Sequence, residues 1–141
     1  MATRRYAEGT AVTVDNSRGE ITRILAKHGV ERMGWLASPT GDELMFEMGG
    51  GQYRLSMVKP TLVEIRRMYP NAYDEQAKIA GEWRRRWRAN VLLLKAKLEF
   101  IASGDTTLDR ELLPYRVLKD GRTLEQAIAA GGFPLLAEGK A

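Results

Sequence analysis

Glu43-Leu44-Met45-Phe46-Glu47-Met48-Gly49-Gly50-Gly51-Gln52-Tyr53-Arg54-Leu55-Ser56-Met57 alternates apolar and polar side chains on both sides of a glycine triplet. Leu44, Phe46 and Met48 share one face, with Glu43 and Glu47 opposite, and Tyr53, Leu55 and Met57 supply the apolar face of the return. A period of two belongs to a half-buried strand, and glycines between two such runs mark a turn. Upstream, Met33, Trp35 and Ala37 alternate with Arg32, Gly34 and Leu36, and Pro39-Thr40-Gly41-Asp42 reads as another turn. The segment from Glu31 to Lys59 therefore predicts a three-strand antiparallel meander with one side toward a core.

Working outward, Gly9 to Asp15 alternates through Thr10, Val12 and Val14 and predicts a short first strand. Ser17-Arg18-Gly19-Glu20 fits a capping box for a helix carrying Ile21, Ile24, Leu25 and His28 on one face, with Gly29 as its C′ residue. Beyond the meander, Thr61-Leu62-Val63-Glu64 is a second capping box, opening a short helix that ends before Pro70. Asn71 or Asp74 then starts a long helix that runs to Ser103 and stops at Gly104. Its apolar positions Trp83, Trp87, Val91, Leu94, Leu98 and Ile101 are spaced 4-4-3-4-3, a single seam.

Thr107 to Leu113 predicts one or two helical turns, Tyr115-Arg116-Val117-Leu118 a fourth or fifth strand, and Asp120-Gly121 a turn. Thr123-Leu124-Glu125-Gln126 caps a last short helix ending at Gly131-Gly132. The fold expected is α+β: an antiparallel sheet of three to five strands, beginning β-α-β-β-β, with one long amphipathic helix packed across it and short C-terminal helices. Residues 1–132 are expected to form one domain and 133–141 a flexible tail. Thirty or so helical residues span about 45 Å, against a diameter near 37 Å for a domain of this length. The long helix is thus expected to bend near Gly81 or to project an end carrying Trp83 and Trp87, which favours a homodimer through that helix.

The 141 residues suffice for a hydrophobic core, and 44% hydrophobic with 28% charged residues is ordinary for a globular chain. No window approaches the run of roughly 18 apolar residues that a membrane span needs, so no membrane association is expected. Met1-Ala2-Thr3-Arg4-Arg5-Tyr6 lacks the apolar run of a signal peptide, and a cytoplasmic location is the expectation. The absence of cysteine excludes disulfides and thiolate metal sites. The net charge of +4 is unevenly spread. From Arg54 to Lys97 eleven basic residues stand against four acids, a net +7, while the rest of the chain is net −3. Concentration in one stretch suits a binding face, and it equally suits an exposed helix.

Catalysis has little to work with, and neither an enzyme nor a cofactor is expected. His28, the only histidine, sits at a helix end and is expected to be structural. Gly49-Gly50-Gly51 lacks the lysine and following helix of a phosphate-binding loop, although Arg54 nearby leaves a minor anion-binding option. Asp42, Glu43 and Glu47 can line a hard-metal site or simply be acids on a wet face. The stronger candidate is Glu82-Trp83-Arg84-Arg85-Arg86-Trp87-Arg88, running into Lys95 and Lys97. Arg84, Arg88 and Lys95 fall broadly along one side of a helix, with Arg85 on one flank and Arg86 on the other. Guanidinium groups bind phosphate in a bidentate way, and Arg54, Arg66 and Arg67 extend the basic set. Trp83 and Trp87 can stack on unpaired bases, or belong to the core through the seam.

Arg86-Trp87-Arg88, Lys95-Ala96-Lys97-Leu98-Glu99, Glu111-Leu112-Leu113-Pro114-Tyr115, Asp120-Gly121-Arg122-Thr123, Ser17-Arg18-Gly19-Glu20-Ile21 and Gln52-Tyr53-Arg54 together resemble a group of small uncharacterised phage and prophage proteins. The resemblance implies a context, a bacterial-virus protein acting in the host cytoplasm, and carries over no functional residue. Three readings follow. The first is a nucleic-acid-binding accessory protein of replication, recombination or regulation, with DNA or RNA phosphates on the basic helix. The second is a protein-interaction module, such as an inhibitor of a host defence complex, docking the same helix on an acidic host protein. The third, less favoured, is a small-ligand or nucleotide binder.

Overall fold

In the computed structural model, which describes residues 3–131, the chain is α+β. The order is α1 (Val14–Lys27), β1 (Arg32–Ser38), β2 (Gly41–Met48), β3 (Gly51–Val58), α2 (Leu62–Met68), α3 (Glu75–Ala102), α4 (Leu108–Leu112), a 3₁₀ turn (Leu113–Tyr115) and α5 (Leu124–Ala129). The three strands form an antiparallel meander in the order β1-β2-β3. Trp35 pairs with Leu44 and Leu44 with Leu55, while Met33 pairs with Phe46 and Phe46 with Tyr53. These rows carry the inward side chains, and the Phe46 and Tyr53 rings stack with centroids 5.4 Å apart. Gly49 and Gly50 have φ of 55° and 80°, which lets a two-residue turn match the twist of the hairpin.

The β-α-β-β-β beginning is corrected to α-β-β-β. Residues 10–13 form no strand; Thr13 accepts from the Asn16 amide and caps a helix that begins at Val14. Ser17 is then an interior helical residue, fully buried, rather than a cap. The alternation of Thr10, Val12 and Val14 gave way because α1 buries Ile21 and Leu25 against α3, and a capping threonine secures its first turn. The expected strand at 115–118 also does not form: isolated bridges join Tyr53 to Arg116 and Val117 to Thr123. Val117 donates to the Gln52 carbonyl, but the turn closed by Gly121 donating to Leu118 ends the pairing there.

α3 is capped by Asp74 and stops at Ser103, followed by Gly104 with φ of 82°. Trp87, Val91, Leu94 and Leu98 form its buried seam, packed with Ile21 and Leu25 of α1 and with the sheet's inward residues. Burying each such side chain contributes roughly 1.5–3 kcal/mol. Arg88 bonds Glu20, and Lys27 bonds Glu99, so α1 and α3 run in the same direction. The N-terminal half of α3 does not stand bare, because α2 and the segment 5–10 cover it. Trp87 is fully buried, between Trp35 at 5.3 Å and Trp83 at 5.8 Å. The overhang argued for this helix, and the homodimer argued from it, therefore lose their premise.

Among the described residues no helix is long and apolar enough to cross a membrane. The last helix runs to Ala129, with Ala130 as its C-cap and Gly131 at φ of 83° stopping it as expected, while Gly132 and the expected tail 133–141 lie outside the described residues.

Candidate anion-binding cleft

On α3, Arg85 and Arg86 stand three and four residues after Glu82, one turn away on the same face. Glu82 is buried, and three guanidiniums converge on its carboxylate. Arg85 Nε donates to Oε1 at 2.8 Å, Arg5 Nη1 to Oε2 at 3.0 Å, and Arg86 Nε to Oε2 at 3.1 Å. Burial alone would raise the Glu82 pKa; hydrogen bonds from Arg85, Arg5 and Arg86 outweigh it and hold the carboxyl down at about 2. Arg86 continues outward to Glu64 Oε2 at 2.7 Å and the Val58 carbonyl at 2.9 Å. Arg88 turns the other way, to Glu20 at 2.6 Å. The Arg88 hydrogen bond keeps Glu20 below the usual carboxylate range, with Lys95 and Arg23 adding to the field.

The expected basic face of Arg84, Arg85, Arg88 and Lys95 is therefore not assembled as one free patch. Arg85 and Arg88 are tied to carboxylates inside the fold, and Lys95 lies exposed farther along the helix. Arg66 is bound at both Nε and Nη2 by Glu75, and Arg54 donates to the Gly121 carbonyl and the Gln126 amide oxygen. Arg67 is exposed and makes no ion pair among the described residues. Trp87 is fully buried and offers no stacking face, while Trp83 is half-buried, edge-on to Trp87 and with the Lys59 ammonium 5.9 Å from its ring centre.

What remains of the cluster is a cleft of about 300 Å³ between the segment 5–10, Tyr69 and the first turns of α3. Arg5, Lys78, Arg84 and Arg85 line it against Glu8 and Glu82, which leaves a surplus of +2. Arg84 uses only Nε, donating to the Thr10 carbonyl at 3.3 Å, so its two terminal nitrogens point to no acceptor among the described residues. The Lys78 ammonium lies 4.7 Å from the centre of the Tyr69 ring and likewise meets no carboxylate there. Tyr6, whose carbonyl faces Arg85 Nη1 at 3.5 Å, is 52% exposed. Cations held in place with unspent donors are what a phosphate needs.

Arg5, Lys78, Tyr6 and Tyr69 were not singled out from the sequence. Arg4-Arg5-Tyr6 is a basic-aromatic signal in its own right, and Glu82 inside the arginine row marks which guanidiniums are held internally. The other sequence candidates do not assemble. Asp42 faces the core side of β2, opposite Glu43 and Glu47, and pairs with Arg18 at 2.9 Å. No group of acids or histidine suited to a metal occurs among the described residues. The cavity beside Gly49-Gly50-Gly51 is lined by Glu31 and Glu47 and by no cation, which is unfavourable for an anion. His28 caps α1 with its Nε2 buried, 3.5 Å from Glu99. Compared with known proteins, the chain matches no family model, no curated protein and no solved structure.

Proposed function

We propose that this protein is a small nucleic-acid-binding accessory protein, holding strand phosphate in the cleft at the N-terminal half of α3 rather than along an open helix face. The observation that carries the reading is the pair of unspent cations, Arg84 and Lys78, in a cleft with a surplus of +2. Arg84 supplies a bidentate donor and Lys78 a point charge, while Arg5 and Arg85, fixed by Glu82, set the local potential. The half-exposed Tyr6 and the fully exposed Tyr73 offer π-faces to unpaired bases, which favours single strands. An electrophoretic shift with single-stranded and duplex DNA across a salt series tests this: single strands shift at low salt and are released as salt rises. Absence of any shift at low salt rejects it.

The reading as a module that docks on a host protein draws on a different surface. Leu92, Leu93 and Phe100 lie exposed on the outward side of α3, away from its buried seam. It predicts that Phe100→Asp abolishes partner binding and leaves any nucleic-acid shift unchanged.

A further inference from the structure

The charge and shape of the cleft also bear on which phosphate it takes, an inference that rests on the nucleic-acid reading above. Each internal phosphate of a strand carries one negative charge, whereas a terminal phosphomonoester carries about −1.5 to −2 at neutral pH. The +2 surplus of the lining matches the second and exceeds the first. Gly81 is a separate observation. It stands in the interior of α3, one turn after Lys78 and one turn before Arg84 and Arg85, where glycine is the least favourable residue other than proline. A Cβ built on it would lie 3.6 Å from Arg84 Nη2. The missing side chain keeps open the space in front of the unspent guanidinium nitrogens. Gly9, also in the lining, has φ of 78° and brings bare backbone to the same cleft.

We infer that the cleft is a phosphomonoester site that takes the terminal phosphate of a nucleic-acid strand, with Arg84 as forked donor, Lys78 as counter-charge and Gly81 as the opening between them. A strand passing through would leave two of the cleft's charges competing for one; a strand ending there satisfies both. The same chemistry is offered by a free mononucleotide, so the test has to separate the two sources.

Fluorescence anisotropy at fixed low salt would compare one single-stranded sequence bearing a 5′-phosphate, a 3′-phosphate, or hydroxyls at both ends, with a nucleoside monophosphate as competitor. One phosphorylated end is expected to bind about tenfold tighter than the hydroxyl strand, the worth of one charge-assisted hydrogen bond. Gly81→Leu fills the opening with a good helix former, and Arg84→Gln removes the fork without touching the helix. Both are expected to erase the preference in a folded chain, Gly81→Leu with a melting temperature no lower than wild type and Arg84→Gln with a slightly lower one from losing the Thr10 carbonyl. Equal affinity for all three strands overturns the inference and leaves backbone binding standing. Binding of the monophosphate with no strand bound upholds the phosphomonoester site and rejects the nucleic-acid reading. No binding of any probe overturns both.

Discussion

The two halves of α3 sit in one unbroken helix, yet they are held by different physics. From Glu75 to Arg88 the helix is held by charge, with Glu82 gathering Arg5, Arg85 and Arg86, and Arg88 reaching to Glu20. From Val91 to Ala102 it is held by apolar packing of Val91, Leu94 and Leu98, and its outward side is also apolar at Leu92, Leu93 and Phe100. The first half turns on a buried carboxylate and is the more sensitive to pH; the second adds only the more exposed pairs Lys27–Glu99 and Lys97–Glu111 to its apolar packing. A charged network also leaves a remainder: once Glu82 is satisfied, the unspent cations of the cleft are what is over. The second half buries no carboxylate, and its Lys95 stands exposed along the helix.

The comparison is sharpened first at Trp87, where the two halves meet. Trp87→Ala removes a fully buried ring packed between Trp35 and Trp83, and unfolding by denaturant should register a loss of about 3–5 kcal/mol. Glu82→Gln comes next, at about 3 kcal/mol near neutral pH, because three guanidiniums lose their shared counter-charge. Its pH dependence has a fixed sign. The folded pKa of about 2 lies below the ordinary carboxylate value, so the stabilisation is complete above roughly pH 4.5 and fades as pH falls toward 2. Denaturation curves of wild type and Glu82→Gln should therefore converge in acid; a constant gap would break the account of this half. Arg88→Ala, which opens a partly exposed pair to Glu20, should lower stability by about 1 kcal/mol. Leu93→Ser, on the outward apolar side of the second half, should fall within about 0.5 kcal/mol of wild type in the same assay.

Legibility followed the range of the interaction. The Thr61–Glu64 and Thr123–Gln126 capping boxes, the Gly49-Gly50 turn and the seam from Trp87 to Leu98 are local patterns, and all were readable in advance. Ser17–Glu20 matched a capping box equally well, but Thr13 took the cap and Glu20 was free to meet Arg88. Within the arginine row, the three- and four-residue spacing from Glu82 to Arg85 and Arg86 was visible. The arrival of Arg5 from 77 residues away, and of Glu64 and Glu20 from other helices, depends on how those elements pack and leaves no mark in the local sequence. The charge of the stretch was legible, and its neutralisation was not.

The most direct test sets the two halves of the helix against each other as binding surfaces. Affinity for single-stranded DNA would be measured across a salt series for wild type, Lys78→Ala, Arg84→Ala and Lys95→Ala. If the cleft holds the phosphate, the Lys78 and Arg84 variants should each flatten the log–log salt slope by close to one, while Lys95→Ala keeps the wild-type slope. A slope lowered by Lys95→Ala and untouched by the two cleft variants would contradict the account.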